Sequence, residues 1–218
     1  MSDASSTVTQ KHFAYVAQHT RGDDEFLRQL KAAASAEGIR AIWIAPEQAS
    51  FLQIVLKARA ARDVVEVGTL AGYSAISMAR ALGPQGKVKT LERDRKHATF
   101  ARQWIAKSDV AQHIEVLEGD ARATLRALPS ASADACFIDA DKTSYPIYLD
   151  ECVRILRPRG VLMVDNAFAF GELLAAQPSD PEVPAIREFN DRMAARRDLH
   201  AIIVPIGDGC WMGVKEDV

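Results

Sequence analysis

Asp63-Val-Val-Glu-Val-Gly-Thr-Leu-Ala-Gly-Tyr-Ser-Ala-Ile-Ser-Met-Ala-Arg80 is the stretch that decides the fold. Val64, Val65 and Val67 form a short β-branched run, the kind buried on both faces of a parallel sheet. Gly68 and Gly72 permit a tight turn and a close approach of backbone to ligand. Tyr73, Ile76, Ser77 and Arg80 then recur at helical spacing. The reading is strand, glycine turn, helix.

Such a unit can hold a dinucleotide, a nucleotide phosphate or S-adenosylmethionine, and the details choose among them. A dinucleotide fingerprint needs G-x-G-x-x-G, whereas Thr69-Leu-Ala71 separates the two glycines here as G-x-x-x-G. The Gly-Lys-Ser/Thr of a phosphate loop is absent. Glu66 stands just before the turn, where its carboxylate would repel a phosphate. It suits a ligand carrying positive charge, such as the ammonium and sulfonium of S-adenosylmethionine.

Working outward, strands and helices alternate on the C-terminal side. Strands are expected at 63–67, 87–91, 113–117, 133–138 and 161–164, with helices at 73–82, 94–107, 121–127 and 145–156 between them. A helix at 183–196 and strands at 200–205 and 210–215 close the chain, with 167–180 irregular or briefly helical. Gly207-Asp208-Gly209 marks a tight turn that makes the last strand antiparallel at the sheet edge. The pattern predicts an α/β, doubly wound, mostly parallel seven-stranded sheet with right-handed crossovers.

On the N-terminal side, 9–20, 23–37 and Glu47–Ala60 read as extra helices, the last opened by Pro46. They suit either a cap over the site or a dimer interface. No repeat or linker divides the 218 residues, so one domain is expected over 1–218, with a helical cap at 1–61 and a core at 62–218.

The net charge of −2 gives no reason to expect a nucleic-acid partner. No apolar run reaches the roughly 18 residues of a membrane span, and Met1-Ser-Asp-Ala-Ser-Ser6 lacks the pattern of a signal peptide. Cys136, Cys152 and Cys210 are odd in number and widely spaced, as for reduced thiols of a cytoplasmic protein. The five histidines show no metal-ligand spacing.

Carboxylates recur at the ends of the expected strands: Glu66, Glu92, Asp139 and Asp165, with Asp120 in the turn after the third. Ligands of open α/β sheets bind at those ends. Glu92 stands where an acid reaches ribose hydroxyls, and Asp120 and Ala121 would border the adenine. Asp139, Asp165 and Asn166 come from neighbouring strands and offer three oxygen donors. That set suits Mg²⁺, with Mn²⁺ or Ca²⁺ also accommodated. Lys142 follows Asp139 by three residues. Beside a divalent cation and a sulfonium its charged form would be disfavoured, which makes it a candidate base.

Together these residues resemble the cation-dependent O-methyltransferases of the catechol and caffeoyl-CoA type. The likeness runs from Tyr15-Val-Ala-Gln-His-Thr20 to Pro205-Ile-Gly-Asp-Gly-Cys-Trp-Met-Gly-Val-Lys215. It is carried by Val65-Glu-Val-Gly-Thr-Leu-Ala-Gly-Tyr-Ser74, Ile138-Asp-Ala-Asp-Lys142 and Val164-Asp-Asn166. The resemblance implies a Rossmann-like methyltransferase fold. Glu66, Gly68, Thr69, Ser74, Glu92 and Ala121 match positions that bind S-adenosylmethionine. Asp139, Asp165 and Asn166 match metal ligands, and Lys142 the catalytic lysine, with Asp139 also expected to touch the cofactor and share in catalysis.

Ile44 replaces a hydroxyl residue of plant members and would keep only a backbone or apolar contact to the methionine moiety. Phe168-Ala-Phe170 should line the acceptor pocket but departs from the family's pattern. The implied reaction is methyl transfer to one oxygen of a small aromatic diol, in a cytoplasmic homodimer with no membrane partner. Rival readings are an RNA or protein methyltransferase of the same fold, an NAD-dependent dehydrogenase and a non-catalytic cofactor-binding module.

Overall fold

The computed structural model describes residues 8–217. The opening Met1-Ser6 stretch, read above for a targeting signal, lies outside them. Three helices come first: α1 (Gln10–His19), α2 (Glu25–Ala36) and α3 (Pro46–Arg59). Asp24 caps α2 by accepting from Leu27 N–H at 2.9 Å, and the left-handed Gly38 lets the chain turn away after its end. Buried Leu27, Leu30 and Ala34 of α2 and Leu52, Val55 and Leu56 of α3 turn one stripe each to the core. In contrast, α1 buries none of its residues.

The chain then alternates through β1 (Asp63–Val67), α4 (Tyr73–Ala79), β2 (Lys87–Glu92), α5 (Arg95–Ile105) and β3 (Ile114–Glu118). It continues through α6 (Ala121–Ala127), β4 (Ala133–Ile138), α7 (Tyr145–Ile155), β5 (Leu156–Val164), α8 (Val183–Ala195), β6 (Leu199–Val204) and β7 (Cys210–Lys215). The strands form one seven-stranded sheet in the order β3-β2-β1-β4-β5-β7-β6. β1 to β5 pair in parallel, and β7 runs antiparallel to both its neighbours.

Two details differ from the sequence reading. The antiparallel last strand is not the sheet edge: the hairpin folds back so that β7 inserts between β5 and β6, leaving β6 outermost. Gly213 opposite Ala201 keeps that pairing close. In addition, β5 begins at Leu156, earlier than expected, because Pro158 cannot continue α7 and 157–160 bulge out before the regular ladder resumes at Val161 opposite Ala135.

Alternation along the strands sends side chains to two cores. Val64 and Phe137 pack with α2, α3, α4 and α5 on one face, while Val65, Val67 and Ile138 pack with α6, α7 and α8 on the other. Cys136 and Cys152 are buried thiols in this second core, and Cys210 is buried in the first. Among the described residues no helix is long and apolar enough to cross a membrane. After β3 the chain returns past β2 and β1 to lay down β4, so the order reverses between β1 and β4. Glu66 and Asp139 flank that switch point at the carboxyl edge.

Candidate functional site

The β1–α4 turn closes on itself through Glu92. The Glu92 carboxylate accepts from the backbone N–H of Thr69 at 3.2 Å, of Leu70 at 2.8 Å and of Asp94 at 2.8 Å. Three charge-assisted bonds from one carboxylate lock the turn to the end of β2. Gly68 (φ +98°) and Gly72 (φ +85°) take conformations that L side chains rarely adopt. A Cβ on Gly68 would run into the carbonyl oxygen of Asp139, so the turn also lies directly on the end of β4.

Glu66 is fully buried beneath this turn. One of its oxygens accepts from the Thr90 hydroxyl at 2.5 Å, and Thr90 in turn meets the Thr69 hydroxyl. The other oxygen, Oε1, has no hydrogen-bond partner among the described residues. Burial pushes the carboxyl up to about 8 against the opposing Ser74 and Thr90 hydroxyls. A buried carboxylate oxygen without a donor is costly and marks a place where a ligand donor or cation fits.

A second cluster lies beyond β4 and β5. The Lys142 ammonium, almost entirely buried, donates to Asn166 Oδ1 at 2.6 Å, to the Tyr145 hydroxyl at 2.6 Å and to Asp139 Oδ1 at 3.2 Å. Asp165 is buried beside them and accepts from Gln48 Nε2 at 2.7 Å. Its carboxyl is raised to about 7 by burial and by the like charge of Asp139, with the Gln48 bond opposing. Asn166 adopts a left-handed backbone (φ +68°), which turns the chain sharply after β5. Two carboxylates and an amide oxygen thus converge on a cationic group. Among the described residues no three His, Cys, Asp or Glu side chains gather as a ligand set.

The profile of the O-methyltransferase family matches residues 17–216, nearly the whole chain. The chain belongs to that family. It is 36% identical over 197 residues to a catechol O-methyltransferase of Niastella koreensis, covering 89% of this chain and 86% of the relative. A catechol O-methyltransferase of Mycobacterium tuberculosis is 37% identical over 193 residues, covering 88% and 87%. The solved O-methyltransferase from Bacillus cereus, in complex with SAH, superposes with a TM-score of 0.83 at 32% identity, covering 94% of this chain and 96% of that one.

In this O-methyltransferase the residues singled out from sequence fall into three groups. Glu66, Gly68, Thr69 and Glu92 meet at the β1–α4 turn, with Ser74 one residue into α4. Asp139, Lys142, Asp165 and Asn166 meet at the ends of β4 and β5. Asp120 follows Gly119, whose N–H donates to the Glu92 carbonyl at 2.8 Å. It caps α6 by accepting from Arg122 N–H at 2.9 Å, and both its carboxylate oxygens are engaged by the Arg122 guanidinium, which holds it down to about 2. Ala121 is buried at the start of α6, and Ile44 is buried just before α3.

Several participants went unread in the sequence. Gln48 belongs to the buried side of α3, four residues before Leu52, and a polar residue on an apolar stripe was the available signal. Tyr145 opens α7 with its hydroxyl under Lys142. Asp208 was read only as part of a turn, yet its carboxylate bonds to Asn166 Nδ2 at 3.1 Å. The stretch 167–180 is irregular, as expected, apart from one short 3-10 turn at Ala169–Gly171.

Proposed function

We propose that this O-methyltransferase moves the methyl group of S-adenosylmethionine to one hydroxyl of a small vicinal aromatic diol, assisted by a divalent cation. The observation that carries this reading is the convergence of Asp139, Asp165, Asn166 and Lys142 beside the partnerless Glu66 oxygen. Catechol O-methyltransferases among the relatives and the SAH complex of the structural neighbour support the donor and acceptor classes.

The Glu66 carboxylate would meet the positive end of the donor, and Glu92, already fixing the turn, keeps lone pairs for the ribose. Ile44 and Ala121 supply apolar walls. Asp139, Asp165 and Asn166 would hold Mg²⁺, since all three offer the hard oxygen ligands that ion takes, and the close approach of two carboxylates calls for positive charge. Bound there, the ion would act as a Lewis acid that lowers the pKa of the acceptor hydroxyl. Lys142, entering as the neutral amine, would take the hydroxyl proton as the oxygen–methyl bond forms and the carbon–sulfur bond breaks. The chain's part is mainly positional: it keeps the hydroxyl oxygen in line with the methyl carbon.

A second reading follows from the three oxygens already around Lys142: its ammonium could itself supply the positive charge beside the acceptor. One experiment separates the two. Turnover of catechol with S-adenosylmethionine is measured after EDTA treatment and again after Mg²⁺ is restored. Loss and recovery are expected. Full turnover in EDTA would select the lysine-only reading, and no transfer under either condition would overturn the acceptor class.

A further inference from the structure

Asp208 sits between β6 and β7, in a turn that sequence marks only by its glycines. Its Oδ2 accepts twice: from Asn166 Nδ2 at 3.1 Å and from the backbone N–H of Phe170 at 2.8 Å. The same turn accepts through its main chain, Asp208 C=O from Phe168 N–H and Gly209 C=O from Ala167 N–H, each at 2.8 Å. The β6–β7 turn and the segment after β5 are therefore laced together at four points.

The bond to Asn166 has a direction. The two ends of a side-chain amide have nearly the same shape but opposite roles, so the neighbours decide which end faces which way. A carboxylate can only accept, so Asp208 fixes the amide nitrogen on its own side. Oδ1 must then face the opposite side, where Lys142 Nζ donates to it at 2.6 Å. Reversing the amide would set oxygen against oxygen at Asp208 and N–H₂ against ammonium at Lys142.

The second bond holds a conformation that is otherwise disfavoured. Asn166 (φ +68°), Ala169 (φ +53°) and Phe170 (φ +58°) are all left-handed without being glycine. Such residues persist only where their surroundings over-determine them. Phe168 is pressed on Gly209, where a Cβ would come within 2.7 Å of the ring.

We infer that Asp208 is a positioning residue of the transfer site: its carboxylate turns the Asn166 amide oxygen inward and pins the acceptor-side segment 167–171 in the same act. This rests on the reading that Asn166 Oδ1 faces a cation. Groups that orient metal ligands typically change metal affinity by about 10- to 100-fold when removed.

The probe is Mn²⁺, whose binding to the full chain is followed by the electron paramagnetic resonance of the free ion, with S-adenosylhomocysteine affinity and Tm measured alongside. Asp208→Ala is expected to raise the Mn²⁺ Kd at least about tenfold while leaving S-adenosylhomocysteine affinity within about twofold. A swap tests orientation itself. Asn166→Asp faces Asp208 with a second carboxylate and should weaken Mn²⁺ binding, whereas adding Asp208→Asn restores a carboxylate–amide pair and should recover most of the loss. A merely structural role for Asp208 predicts no such rescue.

An Mn²⁺ Kd unchanged by Asp208→Ala, or a double variant no better than Asn166→Asp, overturns the inference. Should Asp208→Ala fail to fold, the swap pair decides alone. A wild-type chain that binds no Mn²⁺ removes the cation reading and this inference with it, whereas wild-type binding that Asp208→Ala leaves intact removes only the inference.

Discussion

Lys142 Nζ donates to Asn166 Oδ1 at 2.6 Å, across the gap between the loop after β4 and the turn after β5. The same nitrogen reaches Asp139 and the Tyr145 hydroxyl, so one ammonium gathers groups from three positions of the chain. Replacing Lys142 by Ala takes the donor from all of them. For a general base the expected loss in kcat is about 10²- to 10⁴-fold, with S-adenosylhomocysteine affinity retained because the β1–α4 turn does not depend on Lys142. Near-wild-type kcat would remove Lys142 as the base.

Glu66 makes a prediction about pH in the cofactor-free protein. Its folded carboxyl stands at about 8, against 4.5 for the free group, because burial disfavours its charge. Between those values the folded state holds a proton that the unfolded state has released. Stability therefore falls as pH rises through the window and levels off above it. Glu66→Gln carries no such proton, so the Tm of wild type should drop relative to the variant between about pH 5 and about pH 8, by about 2–4 °C per kcal/mol. Parallel Tm curves for the two proteins would contradict the burial argument.

Gly68→Ala tests the contact between the turn and β4. The φ of +98° already strains an alanine, and its Cβ would displace the Asp139 carbonyl. The expected loss of stability exceeds about 1 kcal/mol, together with weaker Mn²⁺ binding as Asp139 moves. Gly22→Ala is the control: nothing lies within 4 Å of a Cβ there, and a change within about 0.5 kcal/mol is expected. Equal Tm values for the two variants would mean that the turn tolerates a side chain.

The sheet was legible because its signals are local. β-branched runs, glycine turns and an acid after each strand follow from pleat geometry and from the need to bury both sheet faces, and they placed Glu66, Glu92, Asp139 and Asp165 at one edge. The insertion of β7 inside β6 was not legible, because a hairpin specifies its own pairing but not which of its strands meets β5. The Arg122 guanidinium, two residues past Asp120, engages that carboxylate, a local pairing the sequence reading left out. Gln48 and Asp208 escaped because they act on residues 117 and 42 positions away, and only tertiary packing brings such partners together.

Gln48 links the N-terminal helices to the transfer site. Its Nε2 donates to Asp165 Oδ1 at 2.7 Å from the first turn of α3, and its Oε1 lies against Gly207, where a Cβ would force the amide to shift. The helix thus braces Asp165 on one side while its tip closes over the β6–β7 turn. Gln48→Met keeps the volume but removes the donor, leaving a buried Asp165 oxygen unpaired, at a cost of about 1–3 kcal/mol. Gln48→Ala loses packing as well and should lie lower in Tm. If the brace matters to the site, Gln48→Met also weakens Mn²⁺ binding while S-adenosylhomocysteine affinity holds, since Glu66 and Glu92 are untouched. A Gln48→Met protein with wild-type Tm and Mn²⁺ affinity would show that α3 covers the site without supporting it.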